Sequence, residues 1–289
     1  LSNNNFDNQQ NINFDELKIN NQEINYDDGK YIGQLVNWSR EGKGIMYWND
    51  GNRYEGNWKN DKRKGKGIYY YNDGSRFEGD WKNDKKEGKG IMSWNDGDRY
   101  VGDWKNDKRK GKGICYYNNG DRYEGDWKNN EREGKGIYYF DDGNRYEGEW
   151  KNDNREGKGI MYSNVGDRYE GDWKNDIAEG KGIEYKINGI IYKGDFKNGI
   201  YEGKGILYFS DNGNRYEGDF KNYIMEGKGI LYYNNGNRYE GDFKNNNREG
   251  KGVLYYYNGD RIIGDYFNNY AIGKHVLFKK NGEILIKNY

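Results

Sequence analysis

The chain has 289 residues, with 48 Lys and Arg balanced by 48 Asp and Glu, 45 Gly, 31 Tyr, 9 Trp, one Cys, one His and no Pro. A Gly- and aromatic-rich composition poor in Leu and Ala excludes a helical bundle, since each Gly costs a helix about 1 kcal/mol, and no segment approaches the ~20 apolar residues of a membrane-spanning helix. Zero net charge argues against a global attraction to nucleic acid or membrane, while leaving room for local segregation of charge. The opening LSNNNFDNQQ lacks the basic region and apolar run of a secretory signal, and a lone Cys closes no internal disulfide. A reducing, intracellular setting is therefore expected.

In chain order, residues 1–23 form an Asn/Gln-rich N-terminal segment, expected to be disordered over 1–13 and to supply a cap from Phe14 to Ile24. From 24 to 275 the sequence is periodic. The phrase Y-x-G-x-W, with substitutions, begins at Tyr31, Tyr54, Phe77, Tyr100, Tyr123, Tyr146, Tyr169, Tyr192, Tyr216, Tyr239 and Ile262, spaced by 23 residues except for 24 between Tyr192 and Tyr216. Gly-Lys-Gly follows 11 residues after each start, and the last copy ends in His275 instead of Gly. Residues 276–289 complete a final aliphatic hairpin, His275 to Lys279 and Glu283 to Lys287 around Lys280-Asn281-Gly282, read as either a cap or an end-to-end dimer contact.

Within one repeat, Arg53 to Lys59 alternates charged residues with aromatic residues or Gly, the pattern of a strand with one wet and one packed face. Gly65 to Tyr71 supplies its partner strand, and Asn72-Asp73-Gly74 is a hairpin-turn signal leading to the next repeat. Eleven such hairpins make about 22 antiparallel strands, an array on the order of 100 Å long at ~4.8 Å per strand, twisting by ~20° per strand pair. A hairpin alone is marginal, so stacking must stabilise it. Tyr54 and Trp58 are expected to cover Gly56, with Ile68 and Tyr70, rather than Gly65 and Gly67, sharing their face. The 24-residue interval places one extra residue in a longer turn or bulge within Phe209 to Gly213.

These residues resemble MORN repeats (membrane occupation and recognition nexus), whose pattern is Y-x-G-x-W, seven residues, then G-x-G. The resemblance covers roughly 24–275 in eleven copies and implies an all-β fold, an elongated single-layer twisted antiparallel sheet of tandem hairpins. It also implies a scaffold role. Members occur in ciliary radial-spoke heads, parasite cytoskeletal rings, membrane junctions and myosin-binding adaptors. The family's Gly three residues after the Trp position is replaced here by Asp61, Asp84, Asp107, Asn130, Asp153 and Asp176 and kept at Gly199; Asn and Asp also tolerate left-handed turns.

Catalytic chemistry is not expected. His275 and Cys115 lie in different repeats, the acids of Asn-Asp-Gly-Asp-Arg (95–99) do not fit a calcium loop, and Gly-x-Gly here opens a strand rather than a phosphate-binding helix. No enzyme, metal or cofactor is foreseen.

Three candidate contact surfaces stand out. The residues before Gly-Lys-Gly make a basic edge, Lys62, Arg63, Lys64, Lys86, Arg109, Lys110, Arg132 and Arg155, suited to an acidic partner or anionic lipid unless it is simply solvated. Later repeats turn that edge apolar: Ile177, Ala178, Ile200, Tyr201, Tyr223, Ile224, Met225, Tyr270 and Ile272, either a protein-contact ridge or local loop packing. Trp48, Tyr71, Trp94, Tyr117 and Phe140 share one repeat position, changing to Ser163 and Lys186, and line a candidate aromatic groove or an intramolecular ladder. The expected function is a non-catalytic scaffold joining other proteins of a larger cytoskeletal assembly, with the cilium a family expectation. The competing reading is a peripheral module binding anionic phospholipid; nucleic acid is not expected.

Overall fold

The computed structural model describes residues 22–289, in which twenty-four β-strands and no helix occur. The expectations for 1–13 and for most of Phe14 to Ile24 lie outside the described residues. The strands, β1 to β24 in chain order, include β1 (Gln22–Tyr26), β2 (Gly29–Val36), β3 (Ser39–Trp48), β4 (Arg53–Lys59) and β5 (Lys62–Tyr70) at one end, and β22 (Arg261–Phe267), β23 (Tyr270–Phe278) and β24 (Ile284–Asn288) at the other. The chain divides into two compact units at Glu131/Arg132. Within each unit the strands pair antiparallel with their sequence neighbours, β1 with β2 and β4 with β5 in the first, β22 with β23 and β23 with β24 in the second. Each is thus an open sheet of one layer. β2 to β23 are the eleven hairpins of the periodic region, with β1 and β24 flanking them.

The two turns of each repeat differ in chemistry. Asn60 and Asp61 both take positive φ, +49° and +62°, which is the two-residue turn whose twist matches antiparallel strands. The turn to the next repeat is closed by Tyr71 N–H to Ser75 O at 2.9 Å and Gly74 N–H to Tyr71 O at 3.1 Å. The extra residue of the 24-residue interval lengthens one such turn, in which Phe209 N–H reaches Asn214 O.

One face of the sheet, face A, carries the rings. Gly56 stands opposite Gly67, and a Cβ on Gly56 would come within 2.5 Å of the Tyr54 hydroxyl oxygen and 2.6 Å of Gly67 Cα. The Tyr54 ring lies across both glycines, fully buried, its hydroxyl donating to Asn57 O at 3.2 Å. Trp58 packs edge-on against Tyr54 and against Tyr31 of the preceding repeat, and its indole N–H reaches back to Gly44 O at 3.2 Å. Tyr54 and Trp58 therefore cover Gly56 and join repeats.

The expected partners on that face need correction. Tyr69 pairs with Tyr54 and Gly67 with Gly56, so Gly67 and Tyr69 share the ring face while Ile68 and Tyr70 lie on face B opposite Glu55 and Arg53. The reason is steric: the ring needs a floor without Cβ on both strands. Past the glycine pair, Trp58 faces Arg63, so β5 is two residues longer there and bulges at Gly65, whose φ of +70° belongs to the left-handed region.

The eleventh hairpin solves the same packing problem with exchanged parts. Its Tyr position is Ile262 and its second Gly position is His275, and the imidazole covers Gly264 as the Tyr54 ring covers Gly56. His275 is completely buried, and Nε2–H donates to Asp265 O at 2.9 Å, the carbonyl that corresponds to the one Tyr54 holds. Replacing His275→Gly is expected to open a cavity and cost about 2–4 kcal/mol, while Ile262→Tyr forces a ring into filled space at about 1–3 kcal/mol. The double variant restores the arrangement of the other repeats and recovers most of both losses. Urea denaturation of the four proteins measures the coupling, and simple additivity would refute the exchange.

Candidate interaction surfaces

The basic edge is largely folded onto face A. Arg63 donates from Nε to Asp84 Oδ1 at 3.2 Å and from Nη2 to Asp84 O at 2.9 Å, with its guanidinium 4.4 Å above the Trp81 ring. Arg132 and Arg155 repeat this with Asp153 over Trp150 and Asp176 over Trp173, and Arg109 with Asn130 over Trp127. Lys86 lies 5.0 Å from the Trp104 ring centre, and burial lowers its amine's proton affinity in spite of Asp107. These cations lid the aromatic core. The edge differs from expectation because β5 starts at Lys62, three residues before Gly65, so strand alternation turns Arg63 to the ring face.

Lys62, Lys64 and Lys110 stay exposed, and so do Lys59, Lys82, Lys85, Lys105 and Lys108. Lys59 stands directly across from Lys62, Lys82 from Lys85 and Lys105 from Lys108. Such facing like charges are destabilising. Lys59, Lys82 and Lys105, in the recurring Trp-Lys-Asn phrase, went unnoticed in the sequence although that phrase marks them.

The apolar edge is not one surface. Arg and Asp are lost together at Ala178 and Gly199, whose backbones still bond at 2.9 Å. Tyr201 and Met225 are buried, not exposed: the Tyr201 ring stacks on Tyr192 with centroids 3.7 Å apart, and its hydroxyl donates to Glu184. Ile177, Ile200 and Ile224 lie on face B across from Lys174, Lys197 and Lys221, with Ile177 exposed and the other two half-buried. Tyr223 is an exposed turn residue whose hydroxyl holds Gly199 O at 2.9 Å. Tyr270 and Ile272 are exposed at the C-terminal end.

The aromatic-groove residues Trp48, Tyr71, Trp94, Tyr117 and Phe140 are half-buried at the rim of face A. Trp48 meets Tyr69 at 5.5 Å, Tyr71 meets Tyr69 at 4.6 Å, Phe140 meets Tyr138 at 4.6 Å, and Arg109 lies 5.8 Å from Trp94. Where the row changes, Lys186 pairs with Glu184 at 2.8 Å and Asp167 at 3.1 Å. Cys115 is buried, which pushes its thiol up, and no group of His, Cys, Asp and Glu among the described residues has the makeup of a metal site.

A family model described as MORN repeat matches ten segments: 31–53, 54–76, 77–99, 100–122, 123–145, 146–168, 169–190, 192–214, 216–238 and 239–261. The eleventh hairpin, carrying Ile262 and His275, is outside the match. No curated protein sequence matches the chain. Among solved structures, the chain is similar to the TCP domain of SAS-4 from Drosophila melanogaster, in complex with a proline-rich motif of Ana2, at 18% identity over 54% of this chain and 85% of that one, with a TM-score of 0.37. A second is the TCP10 domain of Danio rerio CPAP, at 10% identity over 93% of this chain and 100% of that one, with a TM-score of 0.21. Scores this low carry no functional weight.

Burial sets an alkaline limit on the ring face. It pushes the Tyr71 and Tyr266 hydroxyls up to about 12, and Tyr54, Tyr146 and Tyr216 higher still. Unfolded tyrosine ionises near pH ~10, so this stabilisation is intact below that and is lost as pH rises toward 12 and beyond. The urea midpoint is expected to fall above pH 10, with the tyrosinate absorbance of the buried rings appearing together with unfolding. Ionisation of these rings near pH 10 in a sheet that stays folded would contradict their burial. A second expectation concerns the lid: Arg63→Ala should cost about 1–2 kcal/mol, lost with the charge-assisted hydrogen bonds and ring contact, and shift indole fluorescence to the red as Trp81 meets water.

Proposed function

The chain belongs to the MORN-repeat family, and on that premise we propose that it is a non-catalytic scaffold that spaces and joins proteins of a cytoskeletal assembly in the cytoplasm, with the cilium as its setting. The observation that supports this reading is the recurring set of contacts by which one repeat holds the next. From Trp58 to Trp173 the indole bonds a carbonyl 14 residues back, and Arg40, Arg63, Arg132 and Arg155 each bond an Asp 21 residues ahead. A sheet assembled this way presents its variable side chains at regular intervals, which suits a spacer. Fractionation of the native source tests it: the chain should remain with the detergent-insoluble cytoskeletal residue, and quantitative release by detergent would reject the proposal.

A peripheral membrane module is the second reading, favoured by one specific observation. Three successive repeats hold lysines face to face, Lys59 with Lys62, Lys82 with Lys85 and Lys105 with Lys108, an arrangement that an anionic surface would relieve. Vesicles containing phosphatidylserine should then retain the chain at low salt, release it as salt rises, and fail to bind after Lys62→Glu, Lys85→Glu and Lys108→Glu together. Equal retention by neutral vesicles excludes this reading.

A further inference from the structure

Face B of most repeats is a charged lattice, with Arg53 Nη2 on Glu55 at 2.8 Å and Lys66 Nζ on Asp80 at 2.9 Å as its motif. At the C-terminal end the lattice stops. Ile263 and Phe267 stand where Glu55 and Lys59 stand in the second repeat, and Tyr270 and Ile272 replace Lys62 and Lys64. The register sets Phe267 across from Tyr270 and Asp265 across from Ile272, then Val276 between Ile263 and Ile286, and Phe278 beside Ile284. All lie on face B. Six of them are well exposed, from 40% for Ile263 to 76% for Tyr270. Together they leave on the order of 700 Å² uncovered, close to the ~800 Å² that each partner contributes to a standard protein interface, and more than the surface of a monomer ordinarily leaves apolar in one patch.

Among the described residues, four charges on or beside this patch have no ion-pair partner: Asp265, Lys274, Lys251 and Arg261, whose usual Glu is replaced by Ile263. Asp265 faces Lys251 in the ladder but makes no bridge to it, and Lys274, where other repeats have a Lys bonded to the next Asp, faces Asn288. Asp265 and Lys274 are exposed on face B. An acid and a base on one face suit an isologous interface, since a two-fold axis can bring Asp265 of one copy to Lys274 of the other. The last strand adds an open edge, β24 being paired only with β23 among the described residues.

We propose that face B of β22 to β24 is the docking site for a second copy of this chain, the two sheets stacking face to face about a two-fold axis, with Asp265 of each copy paired to Lys274 of the other. The proposal does not depend on the scaffold reading, since a membrane-bound chain would pair by the same surface.

Sedimentation equilibrium of the full chain over a range of concentrations tests it. The wild type is expected to dimerise, and Tyr270→Ser with Ile286→Lys, both at exposed positions, to raise the dissociation constant about 100-fold or more while the circular dichroism spectrum stays that of the wild type. Asp265→Lys or Lys274→Asp alone should weaken the dimer about tenfold, and the two together should restore it. That rescue also guards against a variant that merely misfolds. A wild type that stays monomeric at all concentrations overturns the proposal, whether a different protein or nothing at all covers the patch. A dimer indifferent to these substitutions overturns it equally, by placing the contact elsewhere.

Discussion

A tyrosine ring laid flat across two facing glycines is the constraint on which the rest of the sheet depends. Because Tyr54 needs bare backbone on both strands, Gly56 and Gly67 must face each other, and the register of the hairpin follows. With the ring in place, Trp58 has an edge to lean on and a carbonyl of the preceding repeat within reach. The Arg lid then closes over the indole and anchors to the next turn. Burial is thus gained between repeats more than within them, which is how a one-layer sheet with few aliphatic residues acquires a core.

The period, the hairpins and the cover of Gly56 by Tyr54 and Trp58 were legible in the sequence because each rests on spacing. The faces were harder to read. Gly-Lys-Gly looks like the opening of a strand, yet β5 begins at Lys62, and only the longer strand shows Arg63, Gly67 and Tyr69 to be on one side. A bulge does not announce itself in composition; Gly65 could as well have been a turn residue. Ile262 and His275 were visible as two separate departures, and their unity appears only once the imidazole is seen above Gly264. At the apolar edge, hydrophobicity alone could not distinguish Tyr201, stacked inside on Tyr192, from Tyr270, which faces water.

Some departures from the pattern come in sets. Ala178 and Gly199 replace an Arg and the Asp it would bond, and Tyr201 then leans toward Glu184, a carboxylate at a position elsewhere filled by Tyr69, Met92 or Met161. The glutamate before Gly-Lys-Gly is likewise tied to its neighbour: Glu41 accepts the N–H of Asn60 and Glu87 that of Asn106, whereas Lys64 and Lys110 forgo this bond. Some linked positions change on one side alone, as Lys86 does opposite Asp107 and Asn130 opposite Arg109, and the side chains outside these links include the facing lysines of the first unit and face B of the last hairpins.

The reach of those links has a kinetic side. Every side-chain bond that ties one repeat to another spans about one repeat of sequence, 14 residues for Trp58, 19 for Glu41 and 21 for Arg63. All-β proteins usually fold slowly because their strands must find partners far along the chain. Among the described residues no strand has to. Loop closure costs little at such separations, any adjacent pair of repeats can serve as a nucleus, and growth proceeds by adding the neighbour next in sequence. In wiring, this sheet is closer to a helical repeat protein than to a β-sandwich, and a break in its middle would leave two pieces that each still hold their own local contacts.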